Sequence, residues 1–179
     1  VHRAQPAILP ARLERLESIV RDTIQDVRRE VSHLRDESVV ARAGNSRWQR
    51  LADAFADGTG IRVFTELSED LEQVPVAVSE CVYRVIQESL TNAYRHGGAD
   101  YVDVRMAWDK DPGLILLRVS DNGKGAKLVK PGNGLSGMRE RVDDLDGVIE
   151  WQTAPGQGFD IGIEIPWDGV LNDDTRSAG

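Results

Sequence analysis

The sequence predicts an α+β protein in which a mixed, largely antiparallel sheet is covered by helices on one face. Three observations predict this class. Segments with alternating apolar residues, typical of strands, come mostly in adjacent pairs rather than in strict alternation with helices. Segments with apolar residues three and four apart, typical of amphipathic helices, separate these pairs. A long, highly charged helical segment precedes both kinds.

This N-terminal segment is predicted to form one charged helix up to about residue 40. Two prolines in residues 1–10 favour an irregular lead-in. From Ala11 onward, apolar residues recur at spacings of three and four among arginines, glutamates and aspartates. So narrow an apolar seam is typical of a coiled-coil or bundle helix. The pattern weakens near Ser38, and ARAGNS at 41–46 is predicted to be a linker.

The globular region is predicted to begin at about residue 45 with a short helix around Trp48. Glycines at 58 and 60 end this helix, and residues 61–67 (IRVFTEL) alternate as a strand. Proline suits the first position of a helix, so Pro75 is predicted to open the next one. Its apolar spacing continues to about Arg95, before HGGAD at 96–100.

Two strand pairs complete the predicted fold. Residues 101–108 (YVDVRMAW) and 114–120 (LILLRVS) alternate as strands around a DPG turn. A glycine- and lysine-rich loop at 122–134 leads to a helix that Gly147 is expected to stop. The last two strands are predicted at 148–153 and 159–166, followed by a polar tail at 168–179.

The composition restricts the class of protein. Among 179 residues, 40% are hydrophobic and 29% are charged, as in soluble globular proteins. The net charge of −8 argues against a nucleic-acid-binding surface. Cys81 is the only cysteine, so no internal disulfide is possible, and a buried core position is its expected role. A cytoplasmic location is expected, without membrane contact by this chain, and an anchor elsewhere in a longer protein is compatible with that expectation.

Three motifs carry the functional signal. ESLTN places Glu88 and Asn92 four residues apart on one helix face, and His96 extends the same line. DNGKG, at 121–125, follows a buried strand, and PGNGLSGM, at 131–138, surrounds a helix start. Each motif alone has a plainer interpretation: Glu88 could pair with Arg84, and the two glycine-rich stretches could be turns. Their order and their secondary-structure setting make the arrangement specific.

The chemistry of these motifs favours a nucleotide. A helix N-terminus with free N–H groups attracts phosphate, and glycines let the backbone approach it. Magnesium prefers hard oxygen ligands, which Glu88 and Asn92 offer. A carboxylate at a strand end, such as Asp121, can accept a hydrogen bond from the amine of adenine. Lys124, Lys127 and Lys130 lie in a loop that could close over a nucleotide.

These motifs, with APGQGF at 154–159, resemble the ATP-binding catalytic domain of sensor histidine kinases, in the GHKL (Bergerat-fold) ATPase group. Within that group the chain resembles the nitrate-sensor and DesK-like subfamily, which signals to LuxR-type regulators. The resemblance covers roughly residues 45–166 and implies a two-layer α/β sandwich. It departs from the common pattern at GQGF, where Phe159 replaces a hydroxyl-bearing residue.

The resemblance implies a set of site residues and two cofactors, ATP and Mg²⁺. Glu88 is the implied catalytic residue, and Glu88 and Asn92 are the implied metal ligands. The implied nucleotide-binding residues are Asn92, His96, Asp121, Gly123, Gly125, Lys130, Gly132, Gly134, Leu135 and Gly137.

The resemblance also implies the domain organisation and the partners. Residues 1–40 resemble part of a dimerisation helix, the second of a hairpin, and 45–167 form the ATP-binding domain, with a flexible tail at 168–179. The stretch that carries the phosphoacceptor histidine in the family is missing from the sequence, and His33 lies on the wrong helix to replace it. The chain is therefore expected to be a fragment of a homodimeric kinase. Its γ-phosphoryl group would go to a histidine of the dimerisation domain and then to a LuxR-type response regulator.

Two alternatives remain open at this point. An anti-sigma-type serine kinase shares the ATP-binding fold, although the heptad-like helix argues against it. A degenerate, non-catalytic nucleotide-binding module would keep the fold without the activity, although Glu88, Asn92, Asp121 and the glycines are all present.

Overall fold

The computed structural model of the protein describes residues 44–71, 74–129 and 132–169. Contacts between residues divide the chain into two units, 1–41 and 42–179, and all described residues belong to the second. The predicted dimerisation helix and most of the predicted tail lie outside the described residues.

The described chain contains helices and strands in the predicted order. The helices are α1 (Gly44–Thr59), α2 (Val76–Asn92) and α3 (Asn133–Asp143), with a short 3₁₀ helix at Glu69–Leu71 and a π-helical turn at Ala93–Gly97. The strands are β1 (Arg62–Leu67), β2 (Tyr101–Asp109), β3 (Leu114–Asp121), β4 (Val148–Thr153) and β5 (Phe159–Pro166).

The five strands form one sheet in the order β1-β2-β3-β5-β4. β1 runs parallel to β2, whereas the β2–β3, β3–β5 and β4–β5 pairs are antiparallel. This mixed, largely antiparallel sheet confirms the predicted α+β class.

The core lies between one face of the sheet and the helices. Alternate residues of β3, namely Ile115, Leu117 and Val119, are buried on this inner face, and α2 covers it with residues such as Val82. Since side chains alternate along a strand, Asp121 belongs to the same face as these apolar residues. The inner face of β3 therefore ends in a carboxylate at the margin of the core.

The structure corrects the predicted linker at 41–46, because α1 begins at Gly44. Gly, Asn and Ser favour a loop locally, but tertiary contacts fix this turn as helix. Asn45 Nδ2 donates a hydrogen bond to the Ser68 carbonyl oxygen at 2.8 Å. Trp48 is buried, and its Nε1 donates to the Ser79 carbonyl oxygen at 3.2 Å.

Two predicted helix ends are also corrected. The α-helical part of α2 ends at Asn92 rather than near Arg95, and the chain continues as the π-helical turn. After α3, the residue in the left-handed conformation is Asp146, with φ 55°, rather than Gly147. Short polar residues tolerate this conformation, and the N–H of Gly147 then closes the helix end on the Val142 carbonyl oxygen.

Candidate functional site

A cavity of about 580 Å³ opens between the sheet margin, the end of α2 and the start of α3. This volume lies within the range of small-molecule sites. The cavity brings together most of the residues implied by the motifs, which are Glu88, Asn92, His96, Asp121, Gly125, Gly132, Gly134 and Leu135. Three separate stretches of sequence therefore converge on one site.

The end of α2 contributes one wall. Glu88 and Asn92 lie one turn apart and both line the cavity. The π-helical turn that follows brings Arg95, His96 and Gly97 to the same cavity. π-helical turns are rare and occur frequently at functional sites.

The Glu88 carboxylate lies against the start of α3. A β-carbon placed on Gly134 would overlap Glu88 Oε1, so glycine at this position makes room for that carboxylate. The alternative pairing of Glu88 with Arg84 does not occur, because Arg84 pairs with Glu80 at 3.4 Å. Within the described part of the chain, the Glu88 side chain has no hydrogen bond or ion pair, which leaves its carboxylate for a ligand.

Asp121 is held by two backbone groups. Its Oδ1 accepts hydrogen bonds from the N–H of Gly123 at 2.8 Å and from the N–H of Phe159 at 3.3 Å. Burial raises the pKa of the Asp121 carboxyl above its usual value, and these two N–H groups partly oppose the shift. Among the described residues, Oδ2 accepts no hydrogen bond, so this oxygen is free to meet a ligand.

The first glycine-rich motif packs against the π-helical turn. A β-carbon at Gly123 would lie 2.7 Å from the Gly97 carbonyl oxygen, which also accepts the N–H of Lys124 at 2.9 Å. Asn122 turns away from the cavity, and its Oδ1 accepts the N–H groups of Asp100 and Tyr101 at 3.1 Å. Asn122 thus fixes the start of β2, and Gly123 packs against Gly97 outside the lining, whereas Asp121, Lys124 and Gly125 line the cavity.

The turn between β4 and β5 closes the site from behind. Gly158 is buried with φ +70°, and a β-carbon there would overlap the Asp121 carbonyl oxygen. Gly125, with φ +61°, similarly approaches the Ala154 carbonyl oxygen. Both positions need glycine for conformation and for space.

The second glycine-rich motif opens α3 at the cavity. Gly132 is the N-cap and has no side chain that could accept hydrogen bonds from the first N–H groups of the helix. These N–H groups can therefore donate to a ligand. Gly137 lies outside the cavity lining, and its carbonyl oxygen accepts a hydrogen bond from Arg141 at 2.6 Å. Lys130 lies outside the described residues, whereas Lys124 lines the cavity.

The motifs missed several lining residues. Arg95 follows Asn92 by less than one turn and lines the cavity. Its position directly before His96, in ESLTNAYRHG, could have indicated that it belongs to the site. The apolar part of the cavity comes largely from the inner faces of the strands. Its residues are Val102, Val119, Leu128, Val129, Phe159 and Ile161. Strand alternation predicted that these strand residues face inward, but not that they end at a cavity.

A family model described as histidine kinase-, DNA gyrase B- and HSP90-like ATPase matches residues 77–169. The chain belongs to this ATPase family. The match begins in α2 and ends after β5, so it contains every motif of the cavity.

Curated relatives of this ATPase-family chain include several sensor kinases. Sensor histidine kinase LnrJ from Bacillus subtilis is 30% identical over 149 residues, covering 83% of this chain and 36% of the relative. The kinase/phosphatase DegS from Brevibacillus brevis is 31% identical over 154 residues (84% and 39%). The oxygen sensor histidine kinase NreB from Staphylococcus carnosus is 28% identical over 157 residues (86% and 45%). The chain thus spans less than half the length of these relatives.

Solved structures confirm the fold. The histidine kinase domain of the blue-light-activated kinase from Erythrobacter litoralis superposes with a TM-score of 0.61 at 23% identity, covering 75% of this chain and 66% of that one. Acinetobacter baumannii AdeS gives 0.58 at 17% identity (94% and 88%). With the family match, these results confirm the resemblance to the ATP-binding catalytic domain of histidine kinases.

Membership of this ATPase family implies that the nucleotide is ATP. In the described residues no helix is long and apolar enough to cross a membrane. Nor do those residues contain three or more His, Cys, Asp or Glu side chains grouped to hold a metal ion.

Proposed function

We propose that this chain binds ATP with Mg²⁺ and donates the γ-phosphoryl group to a histidine of a dimerisation domain in two-component signalling. The observation that carries the proposal is the convergence of Glu88, Asn92, Asp121 and the start of α3 on one cavity. An ATP complex needs a hydrogen-bond acceptor for adenine, free N–H groups for the phosphates and oxygen ligands for a cation. The cavity offers all three.

Each residue has a proposed task. Asp121 Oδ2 accepts a hydrogen bond from the exocyclic amine of adenine, since Oδ1 is already occupied. The N-terminus of α3 receives phosphate oxygens, and Arg95 and Lys124 add positive charge along the lining. The carboxylate of Glu88 and the amide oxygen of Asn92 would hold Mg²⁺, which when bound would supply positive charge beside the phosphates.

In the proposed reaction the bond between the γ-phosphorus and the ADP oxygen breaks while a bond to an imidazole nitrogen forms. Catalysis of phosphoryl transfer rests mainly on positioning and charge stabilisation, which the cavity walls supply. Glu88, placed beside Gly134 at the helix start, either orders the cation and a water or acts as a base.

The resemblance supports the proposed partners, and the sensor-kinase names of the relatives agree with a role in two-component signalling. We propose that residues 1–40 supply the second helix of a dimerisation hairpin and that the full protein is a homodimer. The phosphorylated histidine then passes its group to an aspartate of a response regulator of the LuxR type.

A transfer assay tests this proposal. The 179-residue chain is mixed with γ-labelled ATP, Mg²⁺ and a separately produced dimerisation hairpin of a related sensor kinase. The expected product is a labelled hairpin whose phosphate is acid-labile and alkali-stable, as phosphohistidine is. An acid-stable label would indicate a serine kinase, and ATP binding without label on several such hairpins would indicate a non-catalytic module.

Replacing Asn92 by alanine is expected to weaken ATP binding about tenfold in Mg²⁺ and by less than about threefold in EDTA. The reason is that the Asn92 amide oxygen lies one helical turn from the Glu88 carboxylate on the same wall of the cavity, where it would serve as a cation ligand. Calorimetric titration of ATP under both conditions measures the difference. Asn45→Ala, on α1, is the matched control and should keep the wild-type response to Mg²⁺. An Asn92→Ala protein with an unchanged response to Mg²⁺ would contradict the metal role.

A further inference from the structure

Behind the cavity, the β4–β5 turn is joined to the first glycine-rich motif. The N–H of Gly156 donates a hydrogen bond to the Lys124 carbonyl oxygen at 2.7 Å. Gly125 lies so close to Ala154 that a β-carbon would overlap the Ala154 carbonyl oxygen. Two loops that are far apart along the sequence are therefore in direct contact behind the site.

Thr153 lies at the centre of this contact. Its Oγ1 accepts the N–H of Ala126 at 3.0 Å and donates to the Gly158 carbonyl oxygen at 2.6 Å. Ala126 lines the cavity where the chain leaves the glycine-rich motif, whereas Thr153 itself is half-buried and not part of the lining. One hydroxyl thus uses both its donor and an acceptor position to join the two loops.

The same hydroxyl is connected to Asp121 through the backbone. The Gly158 carbonyl group that Thr153 holds belongs to the peptide unit whose N–H is that of Phe159. This N–H donates to Asp121 Oδ1 at 3.3 Å, one of the two hydrogen bonds that fix the carboxylate. A rotation of this peptide unit would weaken that bond and let the carboxylate turn.

We propose that Thr153 is a positioning residue for recognition of the nucleotide base. Its hydroxyl orients the Gly158–Phe159 peptide, which orients Asp121, and it also fixes the start of the loop at Ala126. This inference rests on the proposed function, because it takes Asp121 as the residue that meets adenine.

The test uses Thr153→Val, which keeps the shape of the side chain and removes both hydrogen bonds, and Thr153→Ser, which keeps them. Loss of such hydrogen bonds typically changes a binding constant by about threefold to tenfold. We expect Thr153→Val to weaken ADP binding by about fivefold and to narrow the ratio of ADP to GDP affinity by a similar factor. Thr153→Ser should stay within about twofold of wild type in both quantities.

The ratio of ADP to GDP affinity distinguishes a role of Thr153 in positioning Asp121 from a general loss of stability. Thr65→Val is the matched control, because the Thr65 hydroxyl donates to Gln49 Oε1 at 2.6 Å on β1 and is remote from the cavity lining. This control should leave the ADP to GDP ratio unchanged even where it lowers the melting temperature. Thr153→Ala replaces Thr153→Val in the titrations if the valine variant does not fold.

Any of three results would overturn this inference alone. They are a wild-type ratio of ADP to GDP affinity in Thr153→Val, an equal change of that ratio in Thr65→Val, or a ratio in Thr153→Ser as low as in Thr153→Val. Failure of the wild-type chain to bind ADP would overturn the proposed function, and the inference with it. The two failures are therefore distinguished by the wild-type titration.

Discussion

Replacing Asp121 by asparagine is expected to weaken ATP binding by about a hundredfold, which is the largest effect on binding that the structure predicts. In the wild type, Oδ1 accepts hydrogen bonds from the N–H groups of Gly123 and Phe159, and Oδ2 is left for adenine. In the variant, the amide oxygen must stay on these two donors, so the amide nitrogen takes the place of Oδ2. A donor then faces the amine of adenine, which is also a donor.

This geometry also predicts a change of preference. A base with a carbonyl oxygen in place of the amine, such as hypoxanthine or guanine, should lose much less affinity in Asp121→Asn than adenine does. Titrations with ATP and ITP measure both effects, and Asp53→Asn, an exposed substitution on α1, is the control. An Asp121→Asn protein that keeps wild-type ATP affinity would show that another residue recognises the base.

The raised pKa of Asp121 adds a pH dependence. Since burial raises this pKa in the folded protein above the usual 3.8, the carboxylate takes up a proton at a higher pH than in the unfolded chain. The ionised form carries the proposed hydrogen bond. Wild-type ADP affinity should therefore fall as the pH drops through this raised value, and the fall should be smaller in Asp121→Asn. Equal pH profiles for the two proteins would contradict the assignment.

The second large effect is on stability. Gly158→Ala is expected to lower the free energy of unfolding by about 4 kcal/mol. The backbone at Gly158 has φ +70°, which strains a residue with a β-carbon, and that carbon would overlap the Asp121 carbonyl oxygen. Since Gly158 is buried, neither group can move into solvent to relieve the contact.

Gly156→Ala separates these two causes. Gly156 has a similar φ of +75° in the same turn, but nothing lies within 4 Å of a β-carbon there. Strain alone should therefore cost Gly156→Ala about 1 kcal/mol. Urea unfolding of both variants measures the difference, which is the contribution of the overlap. Equal losses in the two variants would show that the turn relaxes and that the overlap with the Asp121 carbonyl oxygen costs nothing.

Local sequence patterns predicted most of the elements. Residues that alternate between buried and exposed along β2 and β3 carry their own periodicity, so their strands were predicted to within one residue. The glycine-rich motifs were placed correctly relative to a strand end and a helix start. Helix ends were predicted less well, because α1 begins with residues that favour a loop and is held by Asn45 and Trp48.

The sequence by itself determined the α+β class, the order of the elements and the three motifs, because each depends on residues that are neighbours along the chain. Only the tertiary structure decided that Gly134 makes room for Glu88, that Asn122 fixes β2 instead of lining the cavity, and that Arg95 joins the site. These contacts join segments that meet only when the helices pack on the sheet. No local periodicity encodes such a meeting, since its distances are set by the packing of the core.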